Sequence, residues 1–204
     1  MTPMKNKNKQ IWVLIAIFTF AFSILRAQSV YKLNDSKEIA MKLSGTSTLH
    51  KWDMNAGSFT GQALFGFKPG SATELTSLKS LTFVLAVINL SSGEKGLDKN
   101  AYKALKASDY KDIDYKLLSA TITPEKDNKY LIKAHGNLTI AGVTKEVTMD
   151  VECIVNKDAT ITCIGSEKLN MTDYAVKPPT FMLGAMKTGD AITLNFTLVY
   201  KKAS

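Results

Sequence analysis

Apolar and polar residues alternate with period two over most of this chain, which is the mark of strands wet on one face and packed on the other. The clearest stretch is Ala134–Glu152. There Leu138 and Ile140 alternate with Asn137 and Thr139, Ala141-Gly142 stands where the chain must turn, and Val147, Met149 and Val151 alternate with Glu146, Thr148, Asp150 and Glu152. This is the pattern of a β-hairpin. Val30–Leu33 and Ile39–Leu43 read as earlier strands, followed by Leu49–Met54 and Ser58–Phe67, joined through the turn-forming Asn55-Ala56-Gly57. Phe65 and Phe67 are expected on one face.

Leu81–Leu90 is apolar on both faces, with Leu81, Phe83, Leu85 and Val87 on one and Val84, Ala86, Ile88 and Leu90 on the other. Such a strand is expected to be covered twice, by a core or ligand within and by a helix or loop without. The covering helix is predicted over Lys99–Ala107, capped by Asp98, with Ala101, Ala104 and Leu105 at helical spacing. Tyr115–Thr123, Tyr130–His135, Val151–Val155, Thr160–Ile164 and Ala191–Tyr200 return to strand pattern. Ile192, Leu194, Phe196, Leu198 and Tyr200 share a face in the last of these. Periodicity is lost over 169–187 around Pro178-Pro179, a stiffened loop placed as a lid over a barrel opening would be, or as an ordinary connection. Many short strands and one short α-helix make this an all-β chain, an antiparallel β-barrel with a β-sandwich as the alternative.

The first 27 residues stand apart. Lys5, Lys7 and Lys9 precede an apolar run from Ile11 to Leu25, then Arg26, Ala27 and Gln28. This is the layout of a secretory signal peptide cleaved after Ala27, and the run is short of the roughly 20 residues of a membrane span. No Cys follows to take a lipid and no twin Arg is present, so export by the general route to the periplasm or the medium is expected, with no stable membrane span after cleavage. Residues 28–204 then form one domain with room for an adequate core.

Removing the signal also changes the charge. Four of the 26 cationic side chains lie in residues 1–27 and no acid does, so 22 Lys face 18 acidic residues in the remainder. Arg26 is the only Arg. A chain without the planar, bidentate guanidinium is poorly equipped to read phosphates or guanine edges, so no nucleic-acid partner is expected.

Candidate chemistry is sparse. The two His, His50 and His135, form no HxH or HExxH, and there is no G-x-S-x-G and no CxxC, so neither a metal, a cofactor nor a catalytic residue is expected. Cys153 and Cys163 face each other if the intervening turn tip is Lys157-Asp158-Ala159, which permits a cross-strand disulfide; two free buried thiols are the alternative. His50 and Trp52, one residue apart, are read on one strand face, where they would line a pocket mouth or simply close one end of the barrel. If the barrel is hollow, its bore would be lined by Phe65, Phe67, Phe83, Leu85, Val87, Leu138, Ile140, Leu194 and Phe196, although the same residues would serve a filled core.

The words GTSTLHKW, LDKNAYKALKA, KLNMTDYAVKPPTFMLGAMKTGDAITLNFTLVYKK and above all Leu138–Val147, LTIAGVTKEV, resemble the YceI-like family of periplasmic polyisoprenoid-binding proteins. His50-Lys51-Trp52 matches the branch with an H-x-W element. The resemblance implies a lipocalin-like antiparallel barrel holding an isoprenoid tail, hence a non-enzymatic binder or carrier of a polyisoprenoid or isoprenoid quinone. An interaction module of the envelope with a filled barrel, and an enzyme acting on a lipid head group near His50, are the competing readings, and a homodimer is left open. Tyr115-Lys116-Leu117-Leu118 stands where the family carries an aromatic residue, proline, Ile and Phe, which puts the lumen shape at that strand in question.

Overall fold

The computed structural model describes residues 28–34, 39–181 and 186–203, so residues 1–27, read above as a signal peptide, lie outside the described residues. The strands are β1 (Gln28–Leu33), β2 (Ala40–Ser47), β3 (Lys51–Ala56), β4 (Phe59–Phe67), β5 (Leu75–Ala86) and β6 (Leu90–Ser91). Helix α1 (Lys95–Ala104) is followed by β7 (Asp112–Pro124), β8 (Lys129–Ile140), β9 (Val143–Val155), β10 (Ile161–Asn170), β11 (Thr180–Phe181) and β12 (Met186–Lys202).

Eight antiparallel strands close in the order β1-β4-β5-β7-β8-β9-β10-β12 and back to β1. Strand β12 is the seam. One of its edges pairs β10 from Ala191 to Tyr200; the other is divided, with Ile192–Thr197 on β2 and Tyr200–Lys202 on β1. From β2 the sheet continues through β3 to the short β6, which flanks one end of the barrel. Closure leaves the eight-strand circuit without the unpaired edge that would template association.

Alternation sets what faces inward. In β8, Tyr130, Ile132, Ala134, Leu138 and Ile140 are buried while Lys133 and Leu131 face out. The predicted hairpin is present, with β8 and β9 paired from Lys129↔Ile154 to Ile140↔Val143. At its tip Ala141 (φ 48°) and Gly142 (φ 81°) are both left-handed, the conformation that lets a two-residue turn match the strand twist. The Tyr110 ring lies where a Cβ on residue 142 would project, so that glycine is required twice over.

Three expectations are corrected. The doubly apolar strand Leu81–Leu90 is β5 only as far as Ala86; Val87–Asn89 then forms a 3₁₀ turn. That turn ends the alternation, burying Val87 and Leu90 while leaving Ile88 68% exposed, so a second apolar face never forms. The helix begins a turn earlier than predicted and has Glu94 at its N-cap. Asp98 sits inside the first turn and reaches back to accept from the Ser92 N–H (2.7 Å) and the Ser92 and Ser91 hydroxyls (2.7 and 2.9 Å), which hold its carboxyl below the usual range. Finally, β10 runs on to Asn170 and β12 starts at Met186, so the aperiodic connection is shorter than 169–187; its residues 182–185 lie outside the described residues.

Candidate functional site: an apolar bore in two chambers

The inward positions leave two adjoining cavities. The inner one, about 130 Å³, is walled by residues from all sides of the barrel, among them Phe65, Phe83, Leu85, Leu138, Ile140, Leu194 and Phe196. The outer one, about 450 Å³, lies under α1 and the 171–179 connection. Leu43, Ile113, Ile140, Leu169 and Ile192 border both, so the two are chambers of one bore. Bores of this order hold elongated ligands of small-molecule size.

Of the predicted lining residues, seven therefore face the inner chamber, and Ile140 faces both. Phe67 and Val87 border neither. The β4–β5 register slips between Leu64 and Phe65 and between Gly66 and Phe67 leave their extra residues, Lys79 and Thr76, on β5; Phe67 packs on the Tyr31 ring as Phe65 does (6.2 and 5.4 Å between centroids), yet outside both chambers. Val87 is buried in the 3₁₀ turn, its N–H donating to Lys111 O at 2.8 Å.

His50 and Trp52 both border the outer chamber, but they do not share a strand face. His50 lies in the β2–β3 turn, where its backbone carbonyl accepts from the Ser47 N–H (2.8 Å) and hydroxyl (2.9 Å) and its ring is exposed. Trp52 lies flat over Gly45 on the neighbouring strand, and its indole N–H donates to Thr46 O at 3.1 Å. The indole is thus fixed at the rim, and only a residue without Cβ fits beneath it.

The roof of the outer chamber is α1. Leu97, Ala101, Ala104 and Leu105 turn toward the barrel end rather than onto an outer sheet face, as the expected double covering would have had it. Tyr102 anchors the helix by donating to Leu90 O at 2.6 Å. Opposite, the 171–179 connection buries Tyr174 and Val176 and brings Pro179 to the wall. It is pinned by Asp190, whose carboxylate accepts from the Thr172 N–H (2.9 Å) and hydroxyl (2.6 Å); these bonds hold Asp190 below the usual carboxylate range.

Three polar groups on the inner wall were not singled out from the sequence as site residues. Glu167 is the lone carboxylate there; burial raises its pKa and the neighbouring Asp150 raises it further. Tyr115 and Tyr200 also face the chamber, and burial pushes Tyr115 up to about 12 and Tyr200 upward as well. Carrying the β10 alternation past Ile164, through Gly165 to Glu167 and Leu169, would have found the first. Tyr200 was visible on the inward face of the last strand.

Cys153 and Cys163 are directly opposite in the β9–β10 register and are joined as a disulfide that faces the inner chamber. Among the described residues there is no grouping of three or more His, Cys, Asp and Glu able to hold a metal ion, and no helix long and apolar enough to cross a membrane. His135 pairs with Glu146 (3.2 Å) and Thr148 (3.0 Å), all three exposed or nearly so.

A closed antiparallel barrel around an apolar bore, with one helix across its end, is the lipocalin-like class of architecture. Within it, the chain belongs to the YceI-like family, whose domain matches residues 31–200. Among solved structures it is similar to BcnA of Burkholderia cenocepacia, at 20% identity and TM-score 0.60, over 79% of this chain and 95% of that one. It is also similar to a polyisoprenoid binding domain from Saccharophagus degradans implicated in plant cell wall breakdown, at 11% identity and TM-score 0.63, over 87% and 99% of the two chains. A Campylobacter jejuni YCEI protein follows at 23% identity and TM-score 0.54, over 74% and 84%. At these identities the likeness is one of fold. No curated protein matches the chain at a significant level.

Proposed function

We propose that this protein is an exported, non-enzymatic carrier that holds an isoprenoid-like lipid, a polyisoprenoid or an isoprenoid quinone, along the two-chamber bore. The observation that carries the reading is the bore itself: an apolar inner chamber opening into a larger one of about 450 Å³ in a YceI-like barrel. The Saccharophagus domain of the same fold is named for polyisoprenoid binding, which supports the ligand class. Each buried methylene contributes about 0.8 kcal/mol, so some ten buried carbons supply the roughly 8 kcal/mol of a micromolar complex before ordering costs. Residues 1–27 are the signal that would deliver the domain, residues 28–204, to the periplasm.

Burial rather than covalent chemistry fits the walls. The Ser47 hydroxyl beside His50 donates to that residue's backbone carbonyl and not to its imidazole, so no nucleophile–base pair is formed there. A filled barrel acting only as an interaction module is disfavoured by the open volume of the outer chamber.

Trp52 is the only Trp after residue 27 and borders the outer chamber, which gives a direct test. Protein purified from membrane-containing extract is extracted with organic solvent for mass spectrometry, then titrated with isoprenoid quinones while Trp52 emission is followed. A stoichiometric isoprenoid and saturable quenching are expected. An empty protein with no saturable response at any chain length would return the reading to an interaction module.

A further inference from the structure

Helix α1 has two opposed faces. Leu97, Ala101, Ala104 and Leu105 roof the outer chamber, while Lys95, Lys99 and Lys103, spaced i, i+4 and i+8, are exposed as one stripe. Lys106, also exposed, follows directly after the C-cap Leu105. The stripe is unfavourable within the helix itself. Like charges four apart repel, and Lys95 is the first helical residue, where the positive end of the backbone dipole disfavours a cation. Among the described residues none of these lysines is within ion-pair distance of a carboxylate. On the barrel wall, by contrast, Lys42, Lys129 and Lys133 meet Asp53, Glu152 and Asp150 of the neighbouring strand at 2.6, 3.4 and 2.9 Å. Asp98, the one acid within α1, is bonded to Ser91 and Ser92, and Glu94 and Asp109 stand before and after the helix. Two exposed apolar side chains border the same helix. Ile88, 68% exposed, sits on the 3₁₀ turn, its carbonyl accepting from the Tyr102 hydroxyl at 3.1 Å; Tyr110, 42% exposed, has Lys106 Nζ 6.0 Å from its ring centre.

We infer that the outer face of α1, with Ile88 and Tyr110 beside it, is a docking surface for an anionic phospholipid bilayer. Charge complementarity selects the partner. A row of unpaired ammonium groups gains most from a dense, fluid array of phosphates, in which each lysine finds a counter-charge without the fixed geometry that a guanidinium would exploit. An acidic protein surface would have to present its carboxylates at matching positions. Isolated apolar side chains next to the row enter the headgroup layer and add to the hold. The surface lies on the outside of the barrel and stands whether or not the bore holds a lipid. For a carrier its consequence is proximity: the bilayer rests about 10 Å, one helix diameter, from the outer chamber.

The test is sedimentation of the exported protein with sucrose-loaded vesicles of phosphatidylcholine, alone or with about one-third phosphatidylglycerol. The native protein is expected to bind the anionic vesicles on the order of tenfold more tightly than the neutral ones, and to lose that preference at about 0.5 M salt. Lys99→Glu combined with Lys103→Glu should weaken anionic binding on the order of tenfold, the corresponding Gln pair by less, and Ile88→Asn by less again. A control makes the same change of net charge at the far end of the barrel, with Lys126→Glu and Lys157→Glu in the β7–β8 and β9–β10 turns, and should stay within about twofold of native. Melting curves without vesicles verify that each variant is folded, and the Gln pair, which only removes charge, serves if the Glu pair is not. Indifference to phosphatidylglycerol overturns the surface. Equal loss from both charge-reversed pairs overturns it too, because net charge rather than α1 is then responsible. Vesicle binding intact in a protein whose Trp52 gives no saturable response to isoprenoid removes the carrier reading alone and leaves this surface standing.

Discussion

Glu167 shows how a single residue can be in register and out of keeping. Its neighbours along the inward face of β10 are Cys163, Gly165 and Leu169, and directly across on β12 is Leu194, so the carboxyl is held against hydrocarbon. Burial, then Asp150, raises its pKa above the ordinary glutamate value. The folded state therefore favours the neutral acid. That contribution is fully present below the pKa of the unfolded chain and is lost as pH rises through the raised folded value. Glu167→Gln is expected to raise the melting temperature near pH 7 and to lose that advantage near pH 4; an advantage independent of pH would refute the account. The residue escaped sequence reading because Gly165, Ser166 and Lys168 interrupt the apolar rhythm and make the strand look finished at Ile164. Phe67 is the converse case. Its spacing from Phe65 is right for a shared face and both rings pack on Tyr31, but how far along the barrel the bore extends is not encoded by alternation along one strand, and Phe67 borders neither chamber.

Among the elements, local hairpins were the most legible, because their turn and both arms lie within one short stretch. Ala141-Gly142 announced the β8–β9 turn, and Gly142→Ala is expected to cost about 1–3 kcal/mol, since it combines a left-handed backbone with a collision on Tyr110. Chemical denaturation would check this, with a loss under about 0.5 kcal/mol counting against it. The β9–β10 hairpin was legible, and of the arrangements the sequence left open the one formed places Cys153 opposite Cys163. The bond closes a loop spanning a sequence separation of 10, so reduction, or Cys→Ala at both positions, is expected to cost no more than about 3 kcal/mol. Denatured, unreduced protein should show no free thiol, and two thiols would sink the assignment. Less legible was the β5–α1 region. The 3₁₀ turn keeps apolar residues alternating in sequence after the strand has ended, so Val87 to Leu90 read as more strand. The true helix start was hidden because Asp98 looks like a cap yet serves the preceding loop.

On the scale of the whole molecule, period-two patterning was enough for an antiparallel barrel but not for how it closes. Closure depends on β12 dividing one edge between β2 and β1, pairings between opposite ends of the chain that no local pattern records. On the carrier reading, the same geometry decides where a lipid would enter, because the outer chamber is bounded by α1 on one side and the 171–179 connection on the other. Of these the connection is the lighter barrier. Only Tyr174 and Val176 are buried in it, and it is held to β12 by the Thr188 N–H donating to Pro179 O (3.0 Å) at its end and by the two hydrogen bonds from Thr172 to Asp190 near its start. Those bonds lower the Asp190 pKa, so the hold is present above the ordinary aspartate value and is lost as pH falls through the lowered one. Asp190→Ala should therefore speed release of N-phenyl-1-naphthylamine severalfold in stopped-flow dissociation, with a smaller change at equilibrium, because loading and release are eased together. Amide exchange should quicken over 171–176 and stay slow in β8 and β9. Release unaltered by Asp190→Ala, with exchange raised only in the connection, would move the ligand's passage to the helix side. Faster release with protected connection amides would mean that Asp190 acts on the bore by another route.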